Sequence, residues 1–163
     1  MVQAIEVLPE LKSEVRIDEG AESPHVDWNS RVWSRDIIGA GQTLTSSKPV
    51  AQASPTLHDQ HLYQTARSGR ELAYRVAAAP GLYSVQLKFA ELWLAESDRR
   101  PMNIDINGHR FWTDWDPPTA AGQLAMAADL RAEDVTPDEK GEIVVRITAA
   151  GENDAILQGL AIE

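Results

Sequence analysis

Cysteine is absent from the 163 residues. No disulfide framework, thiolate metal site or cysteine nucleophile is therefore available. That absence fits any redox compartment, export included, because many exported proteins do without disulfides. Basic residues are scarce: 15 Lys and Arg stand against 25 Asp and Glu, a formal charge of -10. Phosphates would be repelled, so the composition speaks against nucleic acid and against an anionic membrane surface as partners. No apolar run approaches bilayer-spanning length. The N-terminal Met1-Val2-Gln3-Ala4-Ile5-Glu6 has no basic region and no long apolar core, and is not read as a signal peptide. Also missing are a Gly-rich phosphate loop, a Gly-x-Ser-x-Gly elbow, an internal repeat and a convincing amphipathic helix.

What is present is alternation. Hydrophobic residues make up 43% of the chain, enough for the core of one domain. Tyr83, Val85, Leu87 and Phe89 fall on one side of a strand, and Ser84, Gln86 and Lys88 on the other, the period-two signature of a half-buried strand. Ile104 and Ile106 lead to Asn107-Gly108, a hairpin signal because a type I′ turn needs two positive φ angles. Pro117-Pro118 ends that hairpin. Leu72, Tyr74 and Val76 read as a strand, as do Ile143, Val145 and Ile147, and Ile156, Leu160 and Ile162 close the chain. Val15-Arg16-Ile17-Asp18 and Val32-Trp33-Ser34 are short strands. Leu124, Met126, Ala128 and Leu130 alternate as a further strand, with a helical turn as the alternative, and Asp134 to Lys140 reads as a polar turn. Ile38 to Gln60 reads as a long irregular segment. Residues 1–12, with Val7-Leu8-Pro9-Glu10-Leu11, are an edge strand or a linker, and one domain covers residues 13–163. At least eight strands without a clear helix predict an all-β sandwich.

Several runs have a familiar order and spacing. Leu62-Tyr63-Gln64-Thr65-Ala66-Arg67 precedes Gly81-Leu82-Tyr83 and Leu87-Lys88-Phe89-Ala90-Glu91. Asn107-Gly108-His109 and Asp114-Trp115-Asp116 follow, and Ala155-Ile156-Leu157-Gln158-Gly159-Leu160-Ala161-Ile162 closes the series. Together they resemble the malectin and malectin-like domains, also classed as a carbohydrate-binding module family. The resemblance implies a jelly-roll-like β-sandwich of two antiparallel sheets that binds glucose-type oligosaccharides in a loop-lined cleft without catalysis. It also implies a module appended to a larger exported enzyme, a bacterial glycoside hydrolase, with the catalytic domain in the same full-length chain.

A sugar site needs aromatic faces for the C–H side of the pyranose and carboxylates or amides for its hydroxyls. Trp93 lies two residues beyond Glu91, where the resemblance implies an aromatic sugar contact. Asp154 lies in the last turn, where it implies an aspartate that bonds sugar hydroxyls, and Asn153 is the neighbouring candidate. Both are also good turn formers. Glu91 continues the inward phase of its strand and needs a partner such as Arg67 or Arg70, in a sugar contact or a structural pair. Leu94 and Ser68 stand where the family carries further aromatic contacts, so Trp28 and Trp33 become candidate substitutes from the N-terminal loops. Trp115 reads as core, and Trp112 as core or surface. Glu91 and Asp154 show no spacing that marks a glycosidase acid and base. His58-Asp59-Gln60-His61 is a weak metal pattern, and Asp18-Glu19-Gly20 offers oxygen ligands for a structural Ca²⁺ without requiring one. The expected partner is an oligosaccharide or polysaccharide. The alternative is a structural or protein-interaction sandwich that has lost sugar binding.

Overall fold

The computed structural model describes residues 14–37, 41–53 and 57–163. The edge strand or linker expected over residues 1–12 lies outside these residues. In chain order the strands begin with β1 (Val15–Asp18), β2 (His25–Val26), β3 (Val32–Arg35) and β4 (Gln42–Thr45). A 3-10 helix, Leu57–Tyr63, leads into β5 (Thr65–Gly69), β6 (Glu71–Ala77) and β7 (Tyr83–Lys88). The hairpin strands are β8 (Met102–Ile106) and β9 (His109–Trp115), followed by the short helix α1 (Pro117–Ala121). The last strands are β10 (Leu130–Val135), β11 (Glu142–Ala149), β12 (Ala155–Leu157) and β13 (Gly159–Ile162).

These strands build an all-β sandwich. One sheet has the order β10-β7-β13-β1-β3-β2, and the facing sheet β6-β11-β8-β9. Pairing is antiparallel except between β1 and β3. A three-stranded ladder, β12-β5-β4, joins the two, because β5 runs into β6 through Arg70 and β12 into β13 through Gln158. Inward residues of both sheets form one core: Val85, Leu87, Leu160 and Ile162 meet Leu72, Tyr74, Ile104, Ile106, Val145 and Ile147. Each of these is inward by strict alternation, so the pattern itself specifies the register.

Lys88 departs from the expectation of a wetted outer face. It is only 5% exposed, because a second cluster covers that face of β7 and β13 with Trp33, Leu62, Tyr63, Leu92 and Ala161. Its ammonium bonds the Tyr63 hydroxyl at 3.0 Å and pairs with Asp129 at 2.8 Å, over the rings of Trp33 and Tyr63. Burial, then the Asp129 charge, pushes the Tyr63 phenol up, so the hydroxyl stays protonated.

Two further expectations are corrected. Of the strand read over Leu124 to Leu130, residues 124–129 are a connection, touching its neighbours through the isolated bridges Ala51–Met126 and Ala90–Ala127. The strand begins at Leu130 and takes in Asp134 and Val135, the first two residues of the stretch read as a polar turn, whose remainder is the turn expected. In that strand only Ala132 and Val135 are buried, and a register shift between them, with Asp134 at φ 58°, breaks the period. The segment read as irregular contains β4, in which Leu44 alone is half-buried. After the hairpin, Pro117-Pro118 opens α1, which is capped by the Asp116 carboxylate on the Thr119 N–H and closed by Gly122 at φ 86°.

The Asn107-Gly108 turn has the expected positive φ values of 49° and 79°. Gly108 has open space around it, whereas a Cβ on Gly41 (φ 74°) would lie 2.3 Å from the Ser68 carbonyl oxygen. Gly41→Ala must push β4 off β5, while Gly108→Ala adds only backbone strain. Chemical denaturation should show a loss of about 1 kcal/mol for Gly108→Ala and clearly more, above ~2 kcal/mol, for Gly41→Ala. Equal losses would contradict the close β4–β5 approach.

Candidate functional site

The loop after β7 is tied down by a carboxylate that never reaches solvent. Glu91 is 1% exposed and its Oε2 accepts from Arg100 Nε at 2.6 Å. Its Oε1 accepts the backbone N–H groups of Trp93 at 2.9 Å and Leu94 at 3.0 Å. Arg100 is 4% exposed and has a second task, since Nη1 donates to the Asp154 carbonyl. Its backbone N–H donates to Asp116 Oδ1 at 2.7 Å. One ion pair thus connects the Trp93 loop, the 151–154 turn and the cap of α1. The expected partners of Glu91, Arg67 and Arg70, are engaged elsewhere. Arg67 pairs with Asp36, and Arg70 donates to the carbonyls of Gly151, Glu152 and Asn153 at 3.0, 3.2 and 3.4 Å.

Trp93 is half-buried against both hydrophobic clusters, and its indole N–H donates to the Thr45 carbonyl at 3.2 Å. The loop is held from the other side by Lys48, which donates to the Leu92 carbonyl. Asn153 donates through Nδ2 to the Arg99 carbonyl at 2.8 Å. The Asp154 side chain is 41% exposed and lies 3.8 Å from the Arg70 guanidinium. Its backbone is held by Arg100, and its carboxylate stays partly open beside Arg70. Strand β12 starts one residue later and pairs Ile156 with Ser68, which places the turn at the Gly69 end of β5. Trp93, through Thr45 opposite Thr65, sits at the other end of the same ladder.

The Glu91–Arg100 pair links the Trp93 loop to the Asn153-Asp154 turn, although the two lie at opposite ends of the β5 ladder, and it does not reach the two substitute tryptophans. Trp33 is fully buried, its N–H on Asp27 Oδ2 at 3.1 Å, so no ligand from outside can stack on it. Trp28 is 51% exposed, but its backbone is bonded to Asp59 beside the 3-10 helix, and it shares no hydrogen bond with the Trp93 group. Sequence reasoning missed Arg100, which lies in a charged run where its neighbours Asp98 and Arg99 are exposed. Its one signal is position: it directly precedes Pro101 and the inward Met102 that opens β8.

Beneath the ladder lies an acidic group. Asp18 is 3% exposed and accepts from Thr65 at 3.2 Å; Glu19 is fully buried beside the Tyr74 hydroxyl, without a hydrogen bond of good geometry. Burial, only partly offset by the Thr65 bond, raises Asp18 to about 7. Burial and the nearby Asp36 charge raise Glu19 to about 8. Among the described residues no group of three or more His, Asp or Glu side chains could hold a metal ion.

The family model of the malectin domain matches residues 14–159. Malectin-B of Xenopus laevis is 31% identical over 106 residues, 61% of this chain and 37% of that protein. Human malectin is 31% identical over the same length, 35% of that protein. The chain thus aligns with little more than a third of these relatives. Among solved structures, a Bacteroides uniformis beta-glucuronidase superposes with a TM-score of 0.76 at 21% identity, over 92% of this chain and 18% of that one. The ANXUR2 extracellular domain of Arabidopsis thaliana superposes at 0.77 and 21% identity, over 91% of this chain and 47% of that one.

The buried acids generate a pH dependence. Folded-state values raised above the ordinary 3.8 and 4.5 mean that the folded chain holds protons the unfolded chain has released. Their stabilising protonation is complete below about pH 4 and is lost as pH rises through about 7 and 8. The thermal midpoint should fall by several degrees between pH 5 and pH 8.5, at up to ~1.4 kcal/mol per pH unit for each group. Glu19→Gln should flatten the upper part of that slope. A midpoint that rises over this range would refute the assignment.

Proposed function

The chain belongs to the malectin domain family, a carbohydrate-binding fold, and on that premise we propose that it is a non-catalytic carbohydrate-binding domain for gluco- or related oligosaccharides. The observation that carries this reading is the shared brace under Trp93 and the Asn153-Asp154 turn. It holds an aromatic face and a half-open carboxylate in fixed relation at the two ends of the β5 ladder, the two kinds of group that recognition of an oligosaccharide uses. Trp93 stacks on the sugar, and Asp154 and Asn153 bond its hydroxyls. Glu91 supports the floor without touching ligand, whereas Arg67, paired with Asp36, is not part of that brace. Glu91 is no general acid, because its oxygens are taken up by Arg100 and two backbone N–H groups. With Leu94 and Ser68 in place of further aromatics, affinity is weak, on the order of micromolar to millimolar.

Such a domain acts by holding glycan beside a catalytic domain of the same longer, exported chain, a bacterial glycoside hydrolase, raising the effective concentration of substrate. The glucuronidase superposition, in which this fold is about a fifth of a larger enzyme, supports that placement. A second reading, a protein-interaction sandwich, draws on the buried Ser68 at a family sugar-contact position.

Isothermal titration against gluco-, galacto-, xylo- and uronic-acid oligosaccharides tests the two. Saturable binding to a gluco-oligosaccharide, lost at least tenfold in Trp93→Ala and unchanged in Trp28→Ala, is the expected result; tenfold corresponds to about 1.4 kcal/mol. No binding across the panel would transfer the assignment to the interaction domain.

A further inference from the structure

A second concavity lies on the other side of Arg99 from the Asn153-Asp154 turn. The bulge that ends β9, the 96–100 loop and α1 enclose a trough of about 550 Å³ whose lining includes Trp115, Asp114, Thr113 and Arg99. A second basin of about 360 Å³, lined by Glu96, Gln123 and Leu124, shares Arg99 and Thr119 with it. Each is of the size that small-ligand clefts occupy. Trp115 is braced from behind by Phe89, with ring centroids 4.5 Å apart at 55°, and is only half-buried. It is a rigid aromatic face with one side in the trough.

Two polar side chains of the trough, Asp114 and Thr113, are uncommitted. No hydrogen bond or ion pair engages the side chains of Asp114, Thr113, Glu96 or Gln123 among the described residues. Asp114 stands at φ 50°, held by its N–H on Asn103 Oδ1 at 3.0 Å, where a register irregularity interrupts the β8–β9 ladder. Such bulges re-aim side chains. Arg99 keeps 59% of its side chain exposed, with its guanidinium beside Asp116 and donating to the carbonyls of Glu96 and Asp98. An indole face, a carboxylate, a hydroxyl and a guanidinium around one open trough match the two sides of a pyranose: C–H groups for the ring, hydroxyls for the polar groups.

The trough also adjoins the first site. The Arg99 carbonyl holds Asn153, and Gly151 packs so tightly on Pro101, a lining residue, that a Cβ would come within 2.8 Å of it. We propose that this trough is a second carbohydrate subsite, with Trp115 as its platform, which takes sugar units of an extended glycan beyond those held at Trp93 and Asn153-Asp154. This rests on the carbohydrate-binding reading and adds to it that the domain prefers a chain to a disaccharide.

Titration with maltose, maltotetraose and maltohexaose, and with the matching cello-oligosaccharides, tests it. Affinity should rise at least tenfold from two units to six, and Trp115→Ala should abolish that gain while leaving disaccharide affinity unchanged. Because Trp115 packs on Phe89, a second variant is needed: Asp114→Gly suits the positive φ, keeps the fold and should remove about threefold or more of the gain. In a tryptophan indole NMR spectrum the hexasaccharide, but not the disaccharide, should shift the Trp115 signal. Equal affinities for two and six units, with disaccharide binding intact, overturn the subsite and leave the Trp93 site standing. Failure of every oligosaccharide to bind overturns both.

Discussion

The Glu91–Arg100 pair is what the candidate site depends on. Two charges have been taken out of water, and such a pair seldom stabilises a fold more than well-packed apolar residues would. Its effect here is geometric. Glu91 spends one oxygen on the start of the Trp93 loop and the other on Arg100. Arg100 passes the constraint on to the Asp154 carbonyl through its side chain and to Asp116 through its backbone. Three segments that are distant in sequence are therefore positioned against one buried charge pair. Losing either partner would strand the other charge, at a cost of about 3–5 kcal/mol.

The sandwich around it supplies rigidity in a different way. Its core needs only apolar residues at every second position, and β6, β7, β8 and β11 have them. The outer face of β7 carries a second cluster, and there Lys88 is retained by Asp129, Tyr63 and two aromatic faces. The Gln158 amide, fully buried where β12 passes into β13, donates to the Ala90 carbonyl, one residue before Glu91. The floor of the site is thus continuous with both layers of the core.

Strands with a clean period were legible in the sequence, as was the Asn107-Gly108 turn, because one local rule decides each of them. β4 and β10 were not, since their burial is partial and their alternation is broken by polar residues or a bulge. The burial of Lys88 was not legible either: alternation tells which face a residue takes, not what later covers that face. The same holds for the site. The loop carrying Trp93 and the turn carrying Asp154 were pointed to by the family resemblance. The identity of the Glu91 partner could not be read, because Arg67 and Arg70 looked suitable in sequence and only the folded chain selects Arg100. Trp28 and Trp33 looked alike in sequence, five residues apart, yet one is open and the other sealed beneath Lys88.

The central claim is that one ion pair couples the Trp93 loop to the Asn153-Asp154 turn, and amide hydrogen exchange in an Arg100→Lys variant tests it most directly. Lysine keeps the charge beside Glu91 but lacks the fork that also reaches the Asp154 carbonyl. The account predicts faster exchange together at Trp93, Leu94, Asp154 and Ala155, with the amides of Ile143 to Ile147 in β11 unchanged. Faster exchange confined to Trp93 and Leu94, with the turn as protected as before, would contradict it.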